Sequence, residues 1–488
     1  MIHPQRGLRH ERMRTRMSIL PTIIQGGMGG GVSNWRLARA VSWLGQLGVV
    51  SGTVLDQVFA RRLQDGDPEG HMRHALDHFP FPEMAERIWK AYFIAGGKPP
   101  RQPYKKLPMH TKDSPRLLRE LCIAANFAEV FLAREGHDHE VGINYLEKVQ
   151  GPHLPSLYGA MLAGVGCVLM GAGIPLKIPG VLDRLAEHQP ATYPMQVSGA
   201  READDTTMTF VPREYMELDL PPLTRPKFLA IIASNTLALT MLKKANGRVD
   251  GFVIEGPTAG GHNAPPRGKP QFSDAGEPVY GDRDVVDLEK LRALGVPFWL
   301  AGGYGTPEKL REALDAGAAG VQVGTAFAFC VESGLREDYK RAILQGVLAA
   351  KAQVFTDPLA SPAQFPFKTV PMAGSVSEQE VYAVRPRVCD LGYLREAYRT
   401  ADGSIGYQCP AEPVATYTAK GGRFEKTSGR KCLCNALLAN IGHPQVQDDN
   451  YEEKGLVTSG NALSDLARFL PADGLVYTAS DVVAKLLS

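Results

Sequence analysis

Short apolar runs recur along the first two thirds of the chain, and between most of them lie stretches whose apolar positions repeat every three to four residues. The runs at residues 22–25, 48–51, 141–144, 167–170, 228–233, 251–255, 297–301 and 320–323 have strand length and little polar alternation. That is the pattern of strands buried on both faces. After the first run, Leu37, Ala40, Val41 and Leu44 fall on one helical face, and Ser33 or Asn34 stands where an N-cap is needed. Further helices are expected over 156–165, 180–187 and 236–245. Strand–helix alternation predicts βα units and a parallel sheet. Eight units predict an α/β fold of the (β/α)8, TIM-barrel type. An open doubly wound sheet is the structural alternative, but it carries its glycine fingerprint after the first strand, and here the comparable turns come last.

Three stretches depart from this alternation. Residues 53–140 read as a helical insertion, with the clearest helix over 115–135 and a Pro/Lys-rich loop near 98–108. Residues 193–211 read as an extra hairpin. Beyond residue 357 the period dissolves into Pro, Gly, Cys and charge, until two helices over 460–469 and 480–487. The organisation expected is a tail over 1–18, a barrel over 19–345 carrying the insertion, and an irregular Cys-containing extension over 346–488 that wraps the barrel.

Composition narrows the classes. Of 488 residues, 44% are hydrophobic and 22% charged, which is enough apolar material for a sizeable core. A formal net charge of +2 gives no reason to expect nucleic acid or an anionic membrane as partner. The Arg-rich residues 1–18 lack the apolar stretch of a secretory signal. The uncharged run 154–176 is long enough to span a bilayer, yet Gly and Pro divide it into a helix, a strand and a turn, so it reads as barrel core. A cytoplasmic location is expected. Seven cysteines, an odd number, predict no disulfide framework.

Active sites of parallel barrels lie at the carboxyl ends of the strands. This chain places there Gln25-Gly-Gly-Met28, Asn144, Gly171-Ala-Gly173, Ser234-Asn235, Glu255-Gly-Pro-Thr-Ala-Gly-Gly-His262, Gly302-Gly303 and Gly324-Thr325. The set is rich in glycine, which lets backbone approach a ligand closely, and poor in charge, which suits a flat neutral one. Turns after the seventh and eighth strands, Ala301-Gly302-Gly303 and Gly324-Thr325, can form an anion cup from backbone N–H groups. His262, after two glycines, can point into the pocket as an acid, a base or an anion holder.

The segments Ile24-Gln-Gly-Gly-Met28, Glu255-Gly-Pro-Thr-Ala-Gly-Gly-His262, Leu300-Ala-Gly-Gly303 and Gly320-Val-Gln-Val-Gly-Thr325 resemble the nitronate monooxygenase family, long called 2-nitropropane dioxygenases, over roughly residues 20–335. The resemblance implies an FMN-dependent oxidoreductase that converts alkyl nitronates and dioxygen to a carbonyl compound and nitrite. It places the flavin phosphate at Ala301, Gly302, Gly303, Gly324 and Thr325. The ring lies near Gln25, Gly26, Gly27 and Met28, with Asn144 and Gly261 against the cofactor. His262 takes the position of the catalytic histidine, as an imidazolium or a hydrogen-bond donor to the nitronate. Two features depart from the family. Thr258-Ala259 stands where nitronate-oxidising members often carry Glu-Ala, and neither the insertion nor the C-terminal region has a counterpart in compact members. The same superfamily includes NAD(P)H-dependent FMN enoyl-thioester (enoyl-ACP) reductases of fatty-acid and polyketide synthesis, which is the alternative activity. A non-catalytic FMN-binding partner subunit is the alternative of another class. The partner expected is a small molecule, a nitronate or an enoyl thioester. An acyl carrier protein joins it under the second activity, and a homo-oligomer is compatible with either.

Cys389, Cys409, Cys432 and Cys434 crowd the C-terminal region, with His443 nearby. Four thiols can bind zinc or an iron–sulfur cluster. Only Cys432 and Cys434 are closely spaced, and no CxxC occurs, so no metal is expected and the four read as reduced, partly buried thiols. Lys420, Arg423, Lys426, Arg430 and Lys431 in the same region read as a solvated face.

Overall fold

A computed structural model describes residues 20–488. The expected tail, residues 1–18, lies outside the described residues.

Eight parallel strands form one sheet: β1 (Ile23–Gln25), β2 (Gly48–Ser51), β3 (Val141–Leu146), β4 (Cys167–Gly171), β5 (Lys227–Ile232), β6 (Gly251–Glu255), β7 (Phe298–Ala301) and β8 (Gly320–Val323). Their spatial order is β1-β8-β7-β6-β5-β4-β3-β2. A parallel bridge from Ile24 to Leu47 joins the two ends, with Gln25 N–H donating to Leu47 C=O at 2.9 Å and Leu47 N–H to Ile23 C=O at 3.1 Å. The sheet is therefore a closed TIM barrel. Residue alternation explains why the strands lack a polar face. Ile24, Val49, Leu169, Leu229, Val253 and Trp299 fill the barrel interior as one cluster. Their neighbours Ile23, Val50, Val168, Phe228, Phe252 and Phe298 pack outward under the helices.

The helical layer clarifies two segments. Of the two candidate caps, Asn34 starts the helix Trp35–Trp43, its Oδ1 accepting from Leu37 N–H at 2.9 Å. The stretch expected as an insertion holds the helices Leu55–Gln64, His71–Asp77 and Pro82–Tyr92, and then Arg116–Arg134. That last helix lies in the outer layer, between Trp35–Trp43 and His153–Leu162. Its contact with the second of these is close enough that a Cβ on Gly159 would come within 2.1 Å of Ile123 C=O. The uncharged run divides as expected, into the helix His153–Leu162 and β4. Among the described residues no helix is long and apolar enough to cross a membrane.

The hairpin pairs Ala191–Pro194 with Thr207–Phe210. Beyond the barrel the chain adds the strand pair Phe355–Asp357 and Phe367–Thr369, and a second pair, Glu396–Arg399 with Ile405–Gln408. The final helix, Ala479–Leu486, returns to the barrel and packs against both Trp35–Trp43 and Pro307–Asp315. It thus occupies the outer layer between the helices that follow β1 and β7.

One ion pair pins the C-terminal region. Arg385 Nε and Nη2 reach Glu453 at 2.7 and 2.6 Å, both side chains are almost fully buried, and Gln447 donates to the same carboxylate at 2.9 Å. Removing the arginine alone leaves a buried, uncompensated carboxylate. Arg385→Ala is expected to destabilise the protein by about 3–5 kcal/mol. The same change at Arg73, whose pair with Asp77 is half exposed, is expected to cost under ~1 kcal/mol. Thermal midpoints of the two variants check this, and equal losses would contradict it.

Candidate functional site

A cavity of about 240 Å³ opens at the carboxyl ends of the barrel strands. Of the residues assigned to the cofactor or the catalytic histidine, all but Gln25 line it, whereas Gly173, Ser234, Asn235, Gly256 and Pro257 of the wider strand-end set do not. Gln25 is fully buried, its Nε2 donating to Ser33 Oγ at 2.8 Å and its Oε1 accepting from Val49 N–H at 2.9 Å. Ser33 Oγ in turn accepts from Met28 N–H and donates to Gly26 C=O, each at 2.8 Å. Gln25 therefore shapes the turn that presents Gly26, Gly27 and Met28 to the cavity. Gly27 allows Asn144 of β3 to close in, since a Cβ there would lie 2.3 Å from Asn144 Cβ.

Opposite, Gly302 and Gly303 adopt φ of +86° and +80°, the left-handed region open to glycine. Among the described residues neither N–H has a protein acceptor, so both stay available to a ligand. Beside them, Gln322 Oε1 is buried and unpartnered. Thr325 Oγ1, expected to face an anion, also accepts from Gly460 N–H at 3.0 Å and so ties the C-terminal region to this wall.

The loop after β6 is held by backbone contacts from far along the chain. Gly261 N–H donates to Thr458 Oγ1 at 2.8 Å, Lys368 N–H to Gly261 C=O at 2.9 Å, and Asn263 N–H to Pro366 C=O at 2.9 Å. His262, between them, sets its ring edge-on to Phe367 at 4.8 Å and its Nε2 at 2.6 Å from Ser361 Oγ. Burial, with the positive charge of Lys148 second, pushes its pKa down to about 4. The ring is therefore neutral at physiological pH. Of the two forms expected from the sequence, imidazolium or hydrogen-bond donor, this shift favours the neutral donor. Lys148, the charge that acts on His262, has its ammonium 4.1 Å over the Phe365 ring.

Glu255, the last residue of β6, lines the same cavity. Burial raises its carboxyl to about 8, so it holds a proton where most carboxyls have lost theirs. The folded chain then binds a proton at Glu255 that the unfolded chain releases above the ordinary carboxylate range. Stability from this group falls as pH rises from about 5 to about 8. Glu255→Gln is expected to gain thermal stability relative to the parent across that window, and a difference that does not change with pH would contradict a buried acid.

Sequence reading missed several of these groups. The sequence did place Glu255 at a strand end, as a lone carboxyl within the loop motif, but assigned it no role. Lys148 lies four positions past Asn144 and carried no signal of its own. Thr458 and Ser459 line the cavity from the aperiodic C-terminal region, and Leu466 and Phe469 from the helix expected over 460–469, to which the sequence assigned no site role. The four late cysteines surround a separate small void. His443 is not with them, its Nδ1 lying 3.0 Å from Asp65.

A family model described as nitronate monooxygenase matches residues 224–357. That stretch contains β5 to β8, the Gly260-Gly261-His262 loop and both late glycine turns. The nitronate monooxygenase of Pseudomonas aeruginosa is 35% identical over 125 residues, 25% of this chain and 32% of that protein. A probable nitronate monooxygenase of Bacillus subtilis is 34% identical over 133 residues, 26% of this chain and 36% of that protein. The chain thus spans about a third of the length of these curated relatives. The structure of FabK from Thermotoga maritima superposes with 16% identity and a TM-score of 0.47, covering 96% of this chain and 93% of that one.

Proposed function

We propose that this chain, whose later barrel half is similar to nitronate monooxygenases, is an FMN-dependent oxidoreductase that acts on alkyl nitronates. One observation carries the reading: two glycine turns with available N–H groups and a histidine after paired glycines face one cavity, all within the matched stretch. The cavity fits the cofactor. Gly302, Gly303, Gly324 and Thr325 would hold the phosphate through backbone N–H groups and one hydroxyl. The orphaned Gln322 carbonyl would accept from a ribityl hydroxyl. Gly26, Gly27, Met28, Asn144, Gly261 and Ala301 would flank the rest.

When bound, FMN would supply the redox chemistry between the nitronate and dioxygen. The chain's own residues position and protonate. His262, neutral, donates a hydrogen bond to a nitronate oxygen, oriented by Ser361 and by the ring contact with Phe367. Glu255 keeps a proton on its carboxyl and offers a second donor. Lys148 contributes positive charge without entering the cavity. Leu466 and Phe469 would add apolar wall to the cavity and disfavour water there.

Anaerobic stopped-flow tests this reading, with propionate 3-nitronate and NADH or NADPH mixed separately with the flavin-loaded protein. Fast bleaching of the flavin band by the nitronate, and none by the nicotinamides, is the expected result. Fast bleaching by a nicotinamide alone would sink the nitronate reading and assign the site to enoyl thioesters.

A further inference from the structure

The four late cysteines converge, although their sequence spacing gave no sign of it. Cys389, Cys409, Cys432 and Cys434 all line one void of about 10 Å³, room for a single water-sized body. The rest of its wall is apolar, including Pro362, Leu391, Leu394 and Leu433. The four thiols are not equivalent. The side chains of Cys389 and Cys409 touch, joined by a thiol hydrogen bond. The Cys432 sulfur is held instead by the Asn435 amide, at 3.7 Å. Among the described residues, the one trio of metal-ligating atoms all within 4.8 Å of each other is Asp56, His110 and Cys122, which lies elsewhere. The late cysteines therefore make a pair with two neighbours rather than a metal cage.

We propose that Cys389 and Cys409 form a reversible dithiol site that hydrogen peroxide oxidises to a disulfide. The site shares no lining residue with the main cavity and does not depend on the reaction assigned there. The backbone already holds the two segments together. Arg387, two positions before Cys389, donates from Nη2 to Pro410 C=O at 2.5 Å and from Nε to Glu412 C=O at 3.1 Å, just past Cys409. Exposure and charge then divide the roles. Cys389 is half-buried, whereas Cys409 is buried. The hydrogen bond from Cys409 holds the Cys389 thiol below its ordinary pKa against the opposing effect of burial, and the positive charge of Arg395 adds to it. The same hydrogen bond, and burial after it, keep Cys409 protonated. Burial pushes Cys432 up to about 11 and raises Cys434 as well. Thiolates are the form that peroxide oxidises, so Cys389 reacts first and Cys409 is the thiol in reach to resolve it.

The Cys389 thiolate attacks one peroxide oxygen and breaks the O–O bond, and the departing hydroxide takes a proton from solvent and leaves as water. Cys389 is then a sulfenic acid. The Cys409 sulfur attacks the Cys389 sulfur, the S–O bond breaks, and the Cys409 proton leaves with that hydroxide as a second water. The two thiols lose two electrons and one peroxide gains them. The water-sized void beside the pair is space into which the side chains turn as the bond forms.

The test uses the full chain, reduced, freed of reductant and exposed to hydrogen peroxide, with thiols counted after denaturation and located by peptide mass spectrometry. Seven free thiols are expected before treatment and two fewer after it, with a mass loss of about 2 Da. The linked peptides are expected to join Cys389 to Cys409, and dithiothreitol to restore both thiols. Cys409→Ser is expected to leave Cys389 as a sulfenic acid that dimedone captures, and Cys434→Ser to form the bridge as the parent does. The parent chain carries the first readout on its own. Seven thiols that survive peroxide, or oxidation that leaves Cys389 and Cys409 unlinked, would overturn the assignment.

Discussion

Replacing His262 with alanine is expected to lower kcat on a nitronate by about 100- to 10,000-fold, while the purified protein keeps its flavin band. The two parts of this result follow from different bonds. The loop is fixed by its backbone, through Gly261 N–H to Thr458, Lys368 N–H to Gly261 and Asn263 N–H to Pro366, so loss of the ring leaves its path intact. What disappears is the ring proposed to donate a hydrogen bond to the substrate. Because burial keeps the ring neutral, down to a pKa of about 4, a neutral donor should substitute in part. His262→Gln is expected to retain more activity than His262→Ala, and steady-state kinetics check both. A glutamine variant as poor as alanine would indicate that the charged form acts. An alanine variant with every activity intact would favour a non-catalytic flavin-binding subunit.

Gly302→Ala is expected to raise the Kd for FMN by about 100-fold or more and to yield a colourless protein. The residue sits at φ +86°, and an added Cβ would lie 3.0 Å from Ala259 N and Thr258 Oγ1 and 3.2 Å from Gly256 C=O. Left-handed backbone costs a residue with a side chain about 1–2 kcal/mol. The turn relieves both strains by rotating, which withdraws the N–H groups of Gly302 and Gly303. Each hydrogen bond to a charged phosphate contributes about 1.5–3 kcal/mol, so losing two corresponds to at least a 100-fold loss. Gly276→Ala is the control. That glycine is equally left-handed, at φ +83°, but nothing lies within 4 Å of the added Cβ and the cavity is not lined by it. Fluorescence titration with FMN separates the two variants, and equal affinities would contradict the phosphate assignment.

The barrel was legible because its signal is local and repeated. Each strand is buried on both faces, so runs such as 228–233 and 251–255 stand out from their helices without any knowledge of their partners. The glycine turns were legible for the same reason: Gly302 and Gly303 directly follow a strand that ends at Ala301. Gln25 shows the limit of that reasoning. Its place at a strand end suggested a cofactor contact, yet its carboxamide turns inward to Ser33 and Val49. The cavity's outer wall was not legible at all. Thr458 meets Gly261 across 197 positions, from a stretch with no helical or strand period. The convergence of Cys389, Cys409 and Cys432 was hidden likewise, since no short spacing marks it. The charge state of His262 was the remaining gap, because burial is set by Phe367 and Ser361, residues about a hundred positions away.

The central claim is that this cavity holds FMN, and the most direct measurement is the identity and amount of chromophore released when the purified protein is denatured. The account predicts about one FMN per chain, lost in Gly302→Ala and kept in His262→Ala. A folded protein that releases no flavin and regains no visible flavin band on incubation with FMN would contradict it.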